Sequence, residues 1–238
     1  MATVADAREY LEKGWHAVSS GTASCAGVVV VAHGGKSVSK EPTTPVQLAV
    51  LRMIPVTRAI RRVLRGTGVE VLQPRFQVKG WNGTEASPAH DLSEMLDDIS
   101  RRFGRAPVVL VGHSMGARAA LRAAGHPAVT AVAGLAPWVP PEEPVAQLAG
   151  RRVLLVHGNA DHVTSPAETW AYAERARSIG QVAAIEIFNG EHTMLRRAHL
   201  WHSIAAEFTL VSLALPGGDG TVARAFEEVT AGSRRAVI

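Results

Sequence analysis

The feature that most constrains this chain is a series of short, predominantly apolar segments, separated by longer helix-like segments. Segments that are apolar on both faces belong in a sheet that is covered on both sides, as a buried parallel sheet is. The expected strands therefore span residues 27–32, 69–73, 107–111, 129–135, 152–156 and 182–187.

Helices are expected between these strands because the intervening segments carry start and stop signals. Ser165-Pro166, for example, combines a capping side chain with a proline suited to the first helical position, and Gly180 is placed to end that helix. The expected helices span residues 45–65, 88–103, 115–124, 166–179 and 194–213. This alternation predicts an α/β fold, with a mostly parallel central sheet of about six strands and helices on both faces.

Length and composition favour a single soluble domain over residues 1–238. We expect a core at about 27–213, an N-terminal extension at 1–26 with a short helix and a Ser/Gly-rich loop, and a polar C-terminal tail at 216–238. The composition is 47% apolar and 19% charged, with no apolar run of the ~18 residues that a membrane helix needs. Acidic residues occupy the N-terminus where a secretory signal would be apolar, which predicts a cytoplasmic protein without membrane attachment.

The cysteine content and the charge pattern argue against two other classes of protein, disulfide-bonded proteins and nucleic-acid-binding proteins. Cys25 is the only cysteine, so no intramolecular disulfide is possible. The net charge of +4 comes from scattered arginine pairs without interleaved aromatic residues, a pattern typical of solvated helix faces, so nucleic-acid binding is not expected.

The sharpest local motif is Gly-His-Ser-Met-Gly at residues 112–116, directly after an expected strand and before an alanine-rich helix. A tight strand-to-helix turn of this kind exposes the Ser114 hydroxyl, and the N–H of Met115 at the helix start faces the place where an oxyanion would form. Ser114 is therefore the candidate nucleophile.

A serine nucleophile needs a base and a group that orients the base, and both follow later strands. Asp161 ends the loop after the fifth expected strand, and His192 lies in the loop after the sixth. Both belong to the same sheet edge as Ser114, because the carboxyl ends of parallel strands meet there. Glu191 is an alternative acid, but neighbouring side chains on one loop diverge, so Asp161 is preferred.

Four motifs make the sequence similar to the α/β-hydrolase fold superfamily, and most similar to its small, lidless bacterial esterases near dienelactone hydrolases. They are His33-Gly34-Gly35, Gly-His-Ser-Met-Gly, the His157-Gly-x-x-Asp161 segment and Gly190-Glu191-His192, within residues 27–213. The resemblance implies that the backbone N–H of Gly35 is the second oxyanion donor. It also implies a reduced form of the fold without a cap domain, because the proline-rich interval 136–150 is too short for one.

The function that these observations predict is a serine hydrolase of carboxylesterase type, which acts on small esters of short acyl chains. No metal and no organic cofactor is expected; histidines such as His199 and His202 are read as surface residues. Trp81 and Trp138, which follow strands at the active edge, are candidate walls of the acyl pocket. A thioesterase, an acyltransferase or a cofactor-free perhydrolase could use the same triad, and a catalytically silent binding protein of this fold is the alternative from another class. The sequence does not determine the oligomeric state.

Overall fold

A computed structural model of the chain describes residues 15–16, 25–230 and 235–238. The short helix and the Ser/Gly-rich loop expected before residue 25 lie outside the described residues. The two residues that are described there, Trp15–His16, form a short strand.

The described residues form one sheet of eight strands in the order β1-β3-β2-β4-β5-β6-β7-β8. The first pairing, β1 with β3, is antiparallel, and the other pairings are parallel. The strands are β1 (Trp15–His16), β2 (Gly27–Ala32), β3 (Val69–Pro74), β4 (Val108–His113), β5 (Val129–Leu135), β6 (Arg152–Gly158), β7 (Gln181–Ile187) and β8 (Ala236–Val237). The predicted α/β class with a mostly parallel sheet is confirmed. The six expected strands are β2 to β7, and the two-residue edge strands β1 and β8 were not predicted, because two residues carry no hydrophobic period.

Among the described residues, six α-helices cover the sheet. They are α1 (Leu48–Val63), α2 (Ser87–Phe103), α3 (Met115–Ala123), α4 (Pro166–Arg177), α5 (Ala198–Ser212) and α6 (Thr221–Thr230). Buried residues of α2, α3 and α4 share one core cluster, and those of α1, α5 and α6 share the other. The helices therefore cover both faces of the sheet, as predicted.

The strands bury both of their faces, which is why they read as continuous apolar runs. Within β2, Val28 and Val30 pack into the cluster of α2, α3 and α4, whereas Val29 and Val31 pack into the cluster on the opposite face. All four valines are fully buried. The period of two along a strand thus divides one apolar run between two cores.

The segment between β5 and β6 forms no lid. Residues 136–151 are all described, and their only helix is a single 3-10 turn, Ala146–Leu148. The carboxyl edge of the central strands is consequently not covered by an inserted helical domain. Among the described residues, no helix is both long and apolar enough to cross a bilayer.

Helix α3 passes unusually close to the end of β2. A Cβ atom added at Gly116 would lie 2.3 Å from the carbonyl oxygen of His33 and 2.7 Å from that of Ala32, and both are backbone atoms. Only a residue without a side chain permits this approach. The contact places the first turn of α3, and the residue before it, against the edge of the sheet.

Gly116→Ala should destabilise the protein by about 3 kcal/mol, the upper part of the range for overpacking, because rigid backbone must move. Gly125→Ala is the matched control, since the nearest atom to its added Cβ would be the side-chain Gln147 Cβ at 3.3 Å. Urea unfolding of both variants measures the difference. Equal free energies of unfolding for Gly116→Ala and wild type would contradict the close approach.

Candidate active site

Ser114 is the single residue between the end of β4 and the start of α3. Its φ of 55° and ψ of −120° lie outside the regions that residues with a side chain favour. Its carbonyl oxygen accepts hydrogen bonds from the N–H groups of Ala117, Arg118 and Trp138, and its N–H donates to Leu135. The backbone on both sides therefore holds Ser114 in this strained turn, as in a nucleophile elbow.

The structure brings the three predicted triad residues together at the carboxyl edge of the sheet. The Ser114 hydroxyl lies 3.1 Å from His192 Nε2, and His192 Nδ1 donates to Asp161 Oδ2 at 2.8 Å. The Asp161 side chain is fully buried, and that of His192 is 11% exposed. This is a continuous hydrogen-bonded chain of hydroxyl, imidazole and carboxylate.

Asp161 accepts more hydrogen bonds than the triad requires. Its Oδ1 accepts from the N–H groups of Val163 and Thr164, at 2.7 and 3.0 Å. Its Oδ2 accepts from His157 Nε2 and from the Thr164 hydroxyl, both at 3.0 Å, in addition to His192. Burial alone would raise the pKa of Asp161, but the hydrogen bonds from His157, His192 and the two backbone donors outweigh it and hold the pKa well below its usual range. Asp161 is thus a stable carboxylate.

His157 and Thr164 were not predicted to contact the triad. From the sequence, His157 was recognised only as the first residue of the His157-Gly-x-x-Asp161 motif. The spacing of four residues between His157 and Asp161 was a usable signal, because the loop folds back so that the two side chains meet. The other ring nitrogen of the buried His157, Nδ1, lies 2.7 Å from the Thr169 hydroxyl.

Glu191, the alternative acid, forms its side-chain hydrogen bonds with residues other than His192. Its Oε1 accepts from the Thr193 hydroxyl at 2.6 Å and from the N–H of Arg196 at 3.4 Å. The hydrogen bond from Thr193 contributes most to lowering the pKa of Glu191. Glu191 makes no hydrogen bond to His192 in the described part of the chain, so the geometry favours Asp161 as the orienting acid.

Two further histidines support the loops of the site in the neutral state. His113 is buried beside His192, with ring centroids 4.8 Å apart, and its Nε2 donates to the carbonyl oxygen of His192 at 2.9 Å. Burial, together with the neighbouring His192, lowers the pKa of His113 to about 3. His33 Nε2 accepts from the N–H of Phe76, so its Nδ1 donates to the Gly34 carbonyl. Burial lowers the pKa of His33 to about 4. Both rings therefore act as fixed hydrogen-bonding groups and carry no charge near neutral pH.

The two predicted oxyanion donors lie beside each other. A Cβ atom added at Gly35 would lie 2.4 Å from the Met115 side chain and from the Lys79 carbonyl oxygen, and one at Gly34 would lie 3.3 Å from Ser114 Cβ. Within the described chain, the N–H groups of Gly35 and Met115 donate to no protein acceptor. The bond from His33 to the Gly34 carbonyl fixes the peptide plane that carries the Gly35 N–H. Two residues with amides that lack a protein acceptor among the described residues therefore lie next to each other, and one of them directly follows Ser114.

Trp81 and Trp138, the predicted walls of the acyl pocket, contact each other, and their main partner was not anticipated. The two rings meet edge to face, 6.2 Å apart, and the guanidinium of Arg118 lies 4.1 Å from the Trp81 ring centre and 4.5 Å from that of Trp138. Arg118 binds Glu143, which is fully buried. The sequence did carry a signal, since Arg118 follows Ser114 by one helical turn in an otherwise alanine-rich helix.

Comparisons with known proteins agree with this architecture. Residues 65–152 match the family model described as serine aminopeptidase, S33, and a comparison with curated proteins found no match. The chain is similar to a solved structure from Agrobacterium tumefaciens, described as an α/β-hydrolase of unknown function, with TM-score 0.63 and 13% identity over 82% of this chain and 88% of that chain.

Two other solved structures carry more specific descriptions. One is an α/β serine hydrolase without a lid from Xanthomonas campestris, with TM-score 0.55 and 20% identity over 85% of this chain and 88% of that chain. The other is an esterase from Pyrococcus furiosus, with TM-score 0.61 and 16% identity over 79% of this chain and 84% of that chain. The predicted resemblance is confirmed at the level of the fold: this chain has the α/β-hydrolase fold.

Proposed function

We propose that this protein is a serine hydrolase that cleaves carboxylic esters of short acyl chains through an acyl-enzyme. The observation that carries the proposal is the hydrogen-bonded chain from Ser114 through His192 to Asp161, with its serine in a strained elbow. The similarity of the fold to a lidless serine hydrolase and to an esterase supports it. No metal or organic cofactor enters the proposed reaction.

The first half of the reaction forms the acyl-enzyme. Ser114 Oγ attacks the ester carbonyl carbon while His192 Nε2 takes the hydroxyl proton. The tetrahedral intermediate then collapses, the bond to the alcohol oxygen breaks, and His192 returns the proton to the leaving alcohol. The N–H groups of Met115 and Gly35 donate to the oxyanion of the intermediate.

In the second half of the reaction, water attacks the acyl-enzyme. His192 takes a proton from the water as its oxygen attacks the acyl carbonyl, and returns it to Ser114 Oγ as the acid leaves. Asp161 keeps the Nδ1 proton on the imidazole and stabilises the imidazolium. Its hydrogen bonds from His157 and Thr164 hold the carboxylate in place during both halves.

A thioesterase or acyltransferase would use the same residues, and activity on acyl-thioesters is the comparison that distinguishes them. A peptidase is suggested by the description of the matching family model. The polar groups next to the site include Arg118 and Arg122, which do not suit the free ammonium group of an aminopeptidase substrate. An ester substrate therefore fits the surroundings of Ser114 better.

Replacing the nucleophile tests the proposal directly. Ser114→Ala should lower ester turnover by about 10³- to 10⁶-fold, and adding His192→Ala should cost little more because the triad acts as a unit. Hydrolysis of p-nitrophenyl butyrate and labelling by a fluorophosphonate are the measurements, with circular dichroism to check folding. A Ser114→Ala protein that keeps more than a tenth of the wild-type rate would refute the mechanism.

Replacing Asp161 and replacing Glu191 should have very different effects on activity. Asp161→Asn should lower kcat on the order of 10⁴-fold, because an amide favours the wrong imidazole tautomer. Glu191→Gln removes a carboxylate that accepts hydrogen bonds from Thr193 and Arg196 and should stay close to wild type. The reverse ranking in a kinetic comparison of the two variants would make Glu191 the orienting acid.

The absence of a lid over Ser114 predicts the chain-length dependence. An open site buries few methylenes, each worth about 0.8 kcal/mol, so acyl groups of about two to six carbons should react best. The rate should also show no jump when the substrate forms micelles. Measurement of kcat/KM against acyl length, and of rate across the micellar threshold, checks both; a strong preference for emulsified long-chain lipid would contradict the open site.

A further inference from the structure

A cleft of about 550 Å³ is connected to the nucleophile through its lining, although Ser114 itself is not among the lining residues. Its lining includes Ser37 and Val38, which follow Gly35, and Trp81 and Trp138. It also includes Arg118, one turn along α3 from Ser114. Since the N–H of Trp138 donates to the Ser114 carbonyl, the wall of the cleft is tied to the nucleophile itself.

Two guanidinium groups in this cleft share one buried carboxylate. Arg118 Nε donates to Glu143 Oε2 at 2.5 Å, and Arg122 Nε donates to Glu143 Oε1 at 2.6 Å. The Glu143 side chain is fully buried, whereas the Arg122 side chain is 38% exposed. One carboxylate thus faces two cations, so the cluster of Arg118, Arg122 and Glu143 carries one net positive charge.

The arginines use only their Nε atoms on Glu143. Within the described part of the chain, no acceptor is hydrogen-bonded to the Nη atoms of Arg118 or Arg122. The guanidinium of Arg118 lies between the rings of Trp81 and Trp138, so its orientation is set before any ligand arrives. A preorganised guanidinium with free donors matches the two oxygens of a carboxylate.

The position of the cleft relative to the triad indicates which part of a substrate enters it. The leaving alcohol must lie at His192 Nε2, which protonates it. No residue of the His192 loop or of the Asp161 loop lines the cleft, and the residues after the oxyanion donor Gly35 do. This lining matches the acyl side of an ester better than the side of the leaving alcohol.

We propose that this cleft binds a carboxylate at the far end of the acyl group, which makes half-esters of short dicarboxylic acids the preferred substrates. Arg118 and Arg122 donate to that carboxylate. Arg118 follows Ser114 by one helical turn, roughly 6 Å along the helix axis, and an acyl chain with two or three methylenes covers a distance of this order. The inference rests on the proposed esterase function. The reaction is the same: water and the half-ester give the free dicarboxylate and the alcohol, with no further reactant.

Glu142 allows the effect of charge on binding to be tested within the same cleft. It lines the same cleft, is exposed, and forms no ion pair within the described part of the chain. Its carboxylate opposes the binding of an anion at the mouth of the cleft. Removing Glu142 and removing Arg122 should therefore move substrate preference in opposite directions.

The experiment compares monoethyl glutarate with ethyl valerate, which have acyl chains of the same length and differ in a terminal carboxylate against a methyl group. A pH-stat measures kcat/KM for both in wild type, Arg122→Gln, Glu142→Gln and Arg62→Gln, the last removing an exposed arginine of α1. Arg122→Gln leaves Glu143 paired with Arg118, so it should fold. Wild type should favour the glutarate about tenfold, the ratio should fall about tenfold in Arg122→Gln and rise about twofold in Glu142→Gln, and Arg62→Gln should not change it.

The outcomes separate the two proposals. Hydrolysis of ethyl valerate with no preference for the glutarate, or an equal ratio in Arg122→Gln and Arg62→Gln, would overturn the carboxylate site and leave the esterase intact. If no variant hydrolyses either ester and a fluorophosphonate does not label Ser114, the esterase function is wrong and the carboxylate site falls with it. Protection of Ser114 from the fluorophosphonate by free glutarate in wild type, lost in Arg122→Gln, supports the site without turnover.

Discussion

The close passage of α3 over the end of β2 is the constraint on which the site depends. Gly116 lies against the carbonyl oxygens of Ala32 and His33, and this contact fixes the first turn of the helix. Ser114 must then turn the chain in one residue at a positive φ. The same contact brings the loop after β2, with Gly34 and Gly35, beside the nucleophile. One backbone approach therefore positions the hydroxyl and both free amides, and any side chain at Gly116 would disturb all of them together.

Asp161 has the corresponding role on the other side of the nucleophile. A buried carboxylate is costly unless it is fully hydrogen-bonded. Here two backbone amides, the Thr164 hydroxyl, His157 and His192 all donate to it. This set keeps the acid ionised and its position fixed, so that in the proposed reaction His192 is the group whose protonation changes. His113 adds a second restraint by donating to the His192 carbonyl, which ties the histidine loop to the end of β4.

The sequence predicted the layers of the fold, and it named the three residues that the structure joins by hydrogen bonds, because both follow from short-range patterns. Fully apolar runs identified β2 to β7, and the order of Ser114, Asp161 and His192 followed from their places after strands. The edge strands β1 and β8 could not be predicted, because two-residue pairings are decided by the neighbouring strand. The role of His157 and the Arg118–Glu143 pair also escaped prediction. Each depends on a loop conformation that brings distant residues together, and neither loop has a periodic sequence pattern from which its conformation could be predicted.

The Arg118–Glu143 pair bears on function because stability alone does not explain it well. A buried ion pair recovers little of the cost of removing both charges from water, and apolar residues of similar volume would often stabilise a protein as much. Yet this site buries Glu143 completely and surrounds it with Arg118, Arg122 and a bond from Arg175 to its backbone. What the arrangement provides, and apolar packing could not, is a guanidinium held between two tryptophans with its terminal donors free. That is a binding feature placed one helical turn from the nucleophile.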